Sequence, residues 1–140
     1  MRSLADDIIE LRVPSKPEYV SIVRRLVTDL AHRISLSRSA VEDVQVAVSE
    51  ACANVVCHAY PGSDTSPAEI VVRFNARRDG LTMEVADMGD GFTEFTPSRN
   101  SERNGGFGLV LIRNLMDQVS LSSSPSQGTV VRMVKNADPR

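Results

Sequence analysis

Basic excess is the first thing this chain lacks. Its 16 Lys and Arg stand against 18 Asp and Glu, a formal net charge of −2. Nucleic-acid binders usually carry a basic surplus or stripe, whereas these arginines are scattered, so no nucleic-acid partner is expected. Long apolar runs are missing too: nothing approaches the roughly 20 residues that span a bilayer. The opening Met1-Arg-Ser-Leu-Ala-Asp-Asp7 has no apolar segment of the secretory kind. A cytoplasmic protein with no membrane partner is the resulting expectation. Cysteine and histidine number only 2 each, and their spacing matches no zinc site. Cys52 and Cys57 fall in one expected helix, five positions apart, which at a rise of roughly 1.5 Å per residue puts them beyond disulfide reach. Both are expected to be reduced and buried.

What is present is a globular balance, with 41% hydrophobic and 24% charged residues. At 140 residues the chain reads as a single domain over 1–140, long enough to bury a core. Ile9, Leu11 and Val13 alternate with Glu10 and Arg12, predicting a strand that ends at Pro14. Ser15 and Pro17 mark a helix start, and Tyr19, Ile22, Val23, Leu26, Val27, Leu30 and Ile34 recur at helical spacing as its core face. Arg24 and Arg25 fall between them and point outward. Ser37 or Ser39 caps a second helix, with Glu42 completing a capping box from Ser39. Its apolar stripe is Val41, Val44, Val48, Cys52 and Val55, and it is expected to stop near Tyr60-Pro61-Gly62.

Two strands are then predicted over 69–76 and 81–86, joined by Arg77-Arg78-Asp79-Gly80, with Gly80 available for positive φ. Residues 93–104 are polar and show no periodicity. A third helix is predicted over 107–116 and a closing hairpin from strands at 119–122 and 129–135. The order β-α-α-β-β-α-β-β predicts an α+β fold, a two-layer sandwich with helices on one face of a mixed, mostly antiparallel sheet.

Three segments stand out against this frame. In Glu50-Ala-Cys-Ala-Asn54 a carboxylate and an amide lie four residues apart, hence on one helix face with Ala47, Ala51 and His58. Alone, that pattern suits a solvated face as well as a site in which Asn54 offers an oxygen to Mg²⁺ and Glu50 accepts a proton. In Asp87-Met-Gly-Asp-Gly-Phe92 an acidic residue at a strand end precedes a Gly-x-Gly turn. Its carboxylate suits the exocyclic amine of adenine, while Gly89 and Gly91 let backbone approach the base. An EF-hand is excluded because its twelfth position holds no glutamate. In Gly105-Gly106-Phe107-Gly108-Leu109 a glycine-rich turn opens the third helix, whose positive dipole end suits a phosphate. It is neither a Walker loop, lacking Gly-Lys-Ser/Thr, nor a Rossmann turn, which comes early in its fold.

In this order the three segments resemble the N, G1 and G2 boxes of the GHKL ATPase superfamily. Val13-Pro-Ser-Lys-Pro-Glu-Tyr-Val20, Ala47-Val-Ser-Glu-Ala51, Asn54 and His58-Ala-Tyr60 resemble more closely its bacterial anti-sigma-factor serine/threonine kinases. The similarity runs from about residue 8 to residue 135; residues 93–104, in the position of the ATP lid, form a shorter stretch than in several stress-response members. The resemblance implies a Bergerat ATP-binding fold, with Glu50 as catalytic base, Asn54 as Mg²⁺ ligand and Asp87 as adenine contact. It further implies Gly89 and Gly91 beside the base, Gly105, Gly106, Phe107, Gly108 and Leu109 around the phosphates, and Thr129 supporting Asp87. Arg24 matches a partner-contacting arginine. The implied partners are a sigma factor, a STAS-type anti-anti-sigma protein that the kinase phosphorylates with ATP, and a second copy of the chain. A switch kinase acting on STAS scaffolds and activating a phosphatase, or a non-catalytic ATP-binding module, are the alternatives.

Overall fold

Strands form where apolar residues alternate with polar ones. The computed structural model describes residues 7–59, 68–87, 107–124 and 128–137. It contains β1 (Ile9–Pro14), β2 (Glu69–Arg77), β3 (Gly80–Asp87), β4 (Gln118–Ser124) and β5 (Gly128–Asn136). The sheet order is β1-β2-β3-β5-β4, and each of the four neighbouring pairs is antiparallel. Because the chain passes from β3 through a helix to β4, with β5 filling the gap, β3 and β4 share a direction without touching. The mixed character expected of the sheet is confined to that non-adjacent relation.

Period-two alternation sends Ile70, Val72 and Phe74 of β2, Leu81, Met83 and Val85 of β3, and Val131 and Met133 of β5 into one core. On that face pack α1 (Val20–Arg33), α2 (Arg38–Asn54) and α3 (Phe107–Leu115). The chain enters α1 through a 3-10 turn at Pro17–Tyr19, with Pro17 supplying a preset φ at the first position. Val23, Val27, Leu30 and Ala31 are the buried stripe of α1. Ile22, expected in the core, is 43% exposed, because it lies one residue, about 100°, off a stripe centred on Val23 and Val27. Ser37 is the cap of α2: its Oγ accepts from the Ala40 N–H at 3.1 Å. Ser39 lies inside the helix, so the capping box from Ser39 is not the cap. Ser35, at φ 59°, reverses the chain between the two helices.

Residues 55–59 correct the expected course of α2. Its α-geometry ends at Asn54 and the chain continues as a π-turn, Val55–Ala59. The expected stop at Tyr60-Pro61-Gly62 lies outside the described residues. Cys57 in this turn is exposed while Cys52 is buried, and both thiols are free. Cys57 lies past the end of the α-helix, in the widened turn, and so leaves the stripe that holds Cys52. Burial pushes the Cys52 thiol up to about 12.

Away from the helices the sheet carries a row of facing residues, one per strand: Glu10, Arg73, Glu84, Arg132 and Ser120. Its ion pairs span 2.9 Å from Arg73 to Glu10, 3.9 Å from Arg73 to Glu84 and 3.8 Å from Arg132 to Glu84. The guanidinium groups of Arg73 and, second, Arg12 hold the Glu10 carboxyl below the usual carboxylate range. Among the described residues no helix is long and apolar enough to cross a membrane.

Candidate functional site

Alternation along β3 extends past the core. Leu81, Met83 and Val85 point toward the helices, so Asp87, two residues further, projects on the same side at the strand's last position. It is 1% exposed. A buried carboxylate is costly unless it is hydrogen-bonded, and Asp87 Oδ2 accepts from the Thr129 backbone N–H at 3.2 Å. Thr129, expected to support Asp87, therefore meets it, and is itself 3% exposed. The sequence reading missed Gly128. A Cβ there would lie 2.4 Å from the Asp87 carbonyl oxygen and 2.8 Å from Oδ1, and its φ of +83° is one that L side chains rarely adopt. Only glycine lets β5 begin against Asp87. The Gly-Thr pair in a strand start was the available signal, but its partner lies some 40 residues earlier.

Glu50 and Asn54 both fall on α2, one turn apart, and each is half-buried. Asn54 is the final α-helical residue, immediately before the π-turn. Such single widened turns recur at functional sites because they re-aim neighbouring side chains. Ala47 and Ala51, expected to leave room beside these polar groups, are instead fully buried core members. They lie three and four positions from Val44, Val48 and Val55, within the apolar stripe.

Below them, α3 is tied down at its C-terminal end. Lys135 of β5 donates from Nζ to Asp43 Oδ2 of α2 at 2.9 Å and to the Leu115 carbonyl of α3 at 2.6 Å. A cation at that end also complements the helix dipole. At the other end, Phe107 and Gly108 begin α3, and Leu109 is buried. Gly89, Gly91, Gly105 and Gly106 lie outside the described residues.

Arg24 is exposed on α1, as expected, but it is also tethered: its Nε donates to Ser49 Oγ of α2 at 3.1 Å. Ser49 precedes Glu50 in the chain. This cross-helix bond was not legible in the sequence, where Ser49 stands inside Ala47-Val-Ser-Glu-Ala51 with no role of its own.

An α+β sandwich of this topology, matched over nearly its whole length by one domain family, is an ATP-binding domain of the histidine kinase-like class. The family described as histidine kinase-like ATPase domain matches residues 13–135. The chain is 40% identical to the serine-protein kinase RsbW of Bacillus velezensis over 144 residues, covering 95% of this chain and 88% of that one. To the RsbW of Listeria monocytogenes it is 41% identical over 126 residues, covering 82% and 79%. The chain belongs to the RsbW serine-protein kinase family, and is an ATP-dependent serine/threonine protein kinase. In coordinates it is similar to the RsbU and RsbW domains of a Mycobacterium tuberculosis protein, with a TM-score of 0.69 at 18% identity. That likeness covers 95% of this chain and 33% of the other, and it speaks to the fold.

Proposed function

We propose that this kinase is an anti-sigma factor with two competing partners. It phosphorylates a serine or threonine of a STAS-type anti-anti-sigma protein, and it sequesters a sigma factor when that antagonist is unavailable. Glu50 accepts the proton of the attacking hydroxyl. The half-buried Asn54 offers its amide oxygen to Mg²⁺, which beside a nucleotide needs only one or two protein oxygens. A Mg²⁺ ion held by Asn54 would supply neutralisation of charge on the phosphates. Asp87 would accept from the adenine amine, with Gly89 and Gly91 assigned to the base and Gly105, Gly106, Phe107, Gly108 and Leu109 to the phosphates. Arg24 meets the protein partners. The single domain is cytoplasmic and works as a homodimer, which sedimentation at assay concentration tests.

The observation that carries this reading is the Asp87 cradle: a buried carboxylate held by the Thr129 N–H over the bare Cα of Gly128. A fixed acceptor selects an amine, and so adenine over guanine. The test is incubation with labelled ATP, candidate STAS proteins and sigma factors. The expected outcome is label on a STAS protein and competition between it and a sigma factor. Glu50→Gln keeps the shape and loses the base, so Mg-ATP binding persists while phosphotransfer falls by roughly 10² to 10⁴; undiminished transfer removes Glu50 from the mechanism. Phosphorylation of STAS with no sigma factor bound would favour the scaffold-directed switch kinase.

A further inference from the structure

The bond from Arg24 to Ser49 is one side of a closed circuit between α1 and α2. Arg24 Nε donates to Ser49 Oγ at 3.1 Å, and Ser49 Oγ donates to the Gln45 carbonyl at 2.8 Å. Gln45 Nε2 donates to Thr28 Oγ1 at 2.8 Å, and Thr28 Oγ1 returns to the Arg24 carbonyl at 2.7 Å. Each hydroxyl accepts one bond and donates one, so the circuit is directionally consistent. The two cross-helix links lie four residues apart on each helix, the spacing of one turn, as an antiparallel pair requires. One end of an exposed, flexible arginine is therefore fixed to α2 before any partner arrives. Among the described residues no acceptor meets its terminal Nη nitrogens.

We propose that Ser49 is a positioning residue for the protein partner: by holding Arg24 Nε it sets the direction in which the guanidinium meets the STAS protein. This rests on the reading of Arg24 as a partner contact. A side chain already immobilised loses less freedom on binding. The tether also lands one residue before Glu50, so the partner's anchor and the proposed base share one turn of α2.

The test is the rate of phosphotransfer against concentration of the STAS protein that accepts label, at saturating Mg-ATP. Ser49→Ala should raise KM for that protein about fivefold with kcat and thermal midpoint unchanged, and Ser49→Thr, which keeps the hydroxyl, should restore it. In an Arg24→Ala background Ser49→Ala should add nothing. Parent-like KM in Ser49→Ala, with Arg24→Ala impaired, overturns the positioning role and leaves the partner contact standing. A Ser49→Ala defect that persists in full without Arg24 overturns it as well. Unaltered KM in Arg24→Ala overturns the partner contact itself, and this inference with it.

Discussion

Replacing Gly128 by alanine tests the Asp87 cradle most directly. The new methyl meets the Asp87 carbonyl oxygen at 2.4 Å and Oδ1 at 2.8 Å, and the first of these is backbone that cannot rotate aside. Holding alanine at φ +83° costs about 1–2 kcal/mol. Relieving the contact pulls β5 from β3 and weakens the 3.2 Å bond from Thr129 to Asp87, a bond to a charged group worth about 1.5–3 kcal/mol. Together these give a loss of about 3 kcal/mol, or a fall in Tm of roughly 10 °C for a chain of this size. Calorimetry measures the first quantity and titration with ATP a second, because a displaced Asp87 no longer presents its carboxylate to the base. Gly80→Ala is the control. Its Cβ would lie 2.5 Å from the Lys135 carbonyl oxygen at φ +157°, at the opposite end of β3. It should destabilise the protein and leave ATP affinity intact below its melting range. If Gly128→Ala bound ATP as Gly80→Ala does, the cradle would have no part in recognising the nucleotide.

Asp87→Asn should weaken ATP and ADP alike by about 10- to 100-fold, the worth of a hydrogen bond to a charged group, since both share the base. Equal ATP and GTP affinity in the parent protein, read by calorimetry, would sink the adenine assignment. Lys135→Met removes the donor shared by Asp43 and the Leu115 carbonyl and should cost about 2 kcal/mol in urea unfolding; a loss within error would mean that α3 is held by its apolar packing alone. A thiol reagent at neutral pH should label one cysteine of the native protein, Cys57, and both after unfolding. Cys52 is buried, with its thiol pushed up to about 12, and so has little reactive thiolate; two fast equivalents in the native state would contradict its burial.

The sheet was legible because its signal is local. Phe74 stands between Arg73 and Asn75, and Leu81, Met83 and Val85 are separated by Thr82 and Glu84, so a period of two identifies the strand and its inner face even though Val71, between Ile70 and Val72, is apolar and buried as well. Extended by one step, the same alternation turns Asp87 inward, while its place before a Gly-x-Gly turn is what marks it as a candidate in the sequence. The end of α2 was not legible, because a π-turn changes hydrogen-bond spacing without changing the order of apolar residues: Val55 continues the stripe whichever geometry follows. Cys57 and Ile22 were misplaced for a related reason, since a residue one or two steps from an apolar stripe is buried or exposed according to how the helix is rolled. Gly128 and Ser49 depend on partners distant in sequence, Asp87 and Arg24, and no local pattern marks such pairs.

The row of charges across the solvent face bears on how the strands find their partners while the protein folds. Alternation alone cannot detect a slip of two residues away from the strand ends, because each side chain keeps its own face. The polar face can. If β1 moved two places along β2 so that Arg12 lay opposite Arg73, two guanidinium groups would stand where Glu10 now faces Arg73. A slip the other way would leave Glu10 against Val71, away from its cross-strand partner Arg73. Like charges set directly across a strand pair are destabilising. Exposed ion pairs that add little to the stability of the finished sheet thus raise the free energy of its nearest misaligned competitor, and the side facing water proofreads an alignment that the oily side would accept.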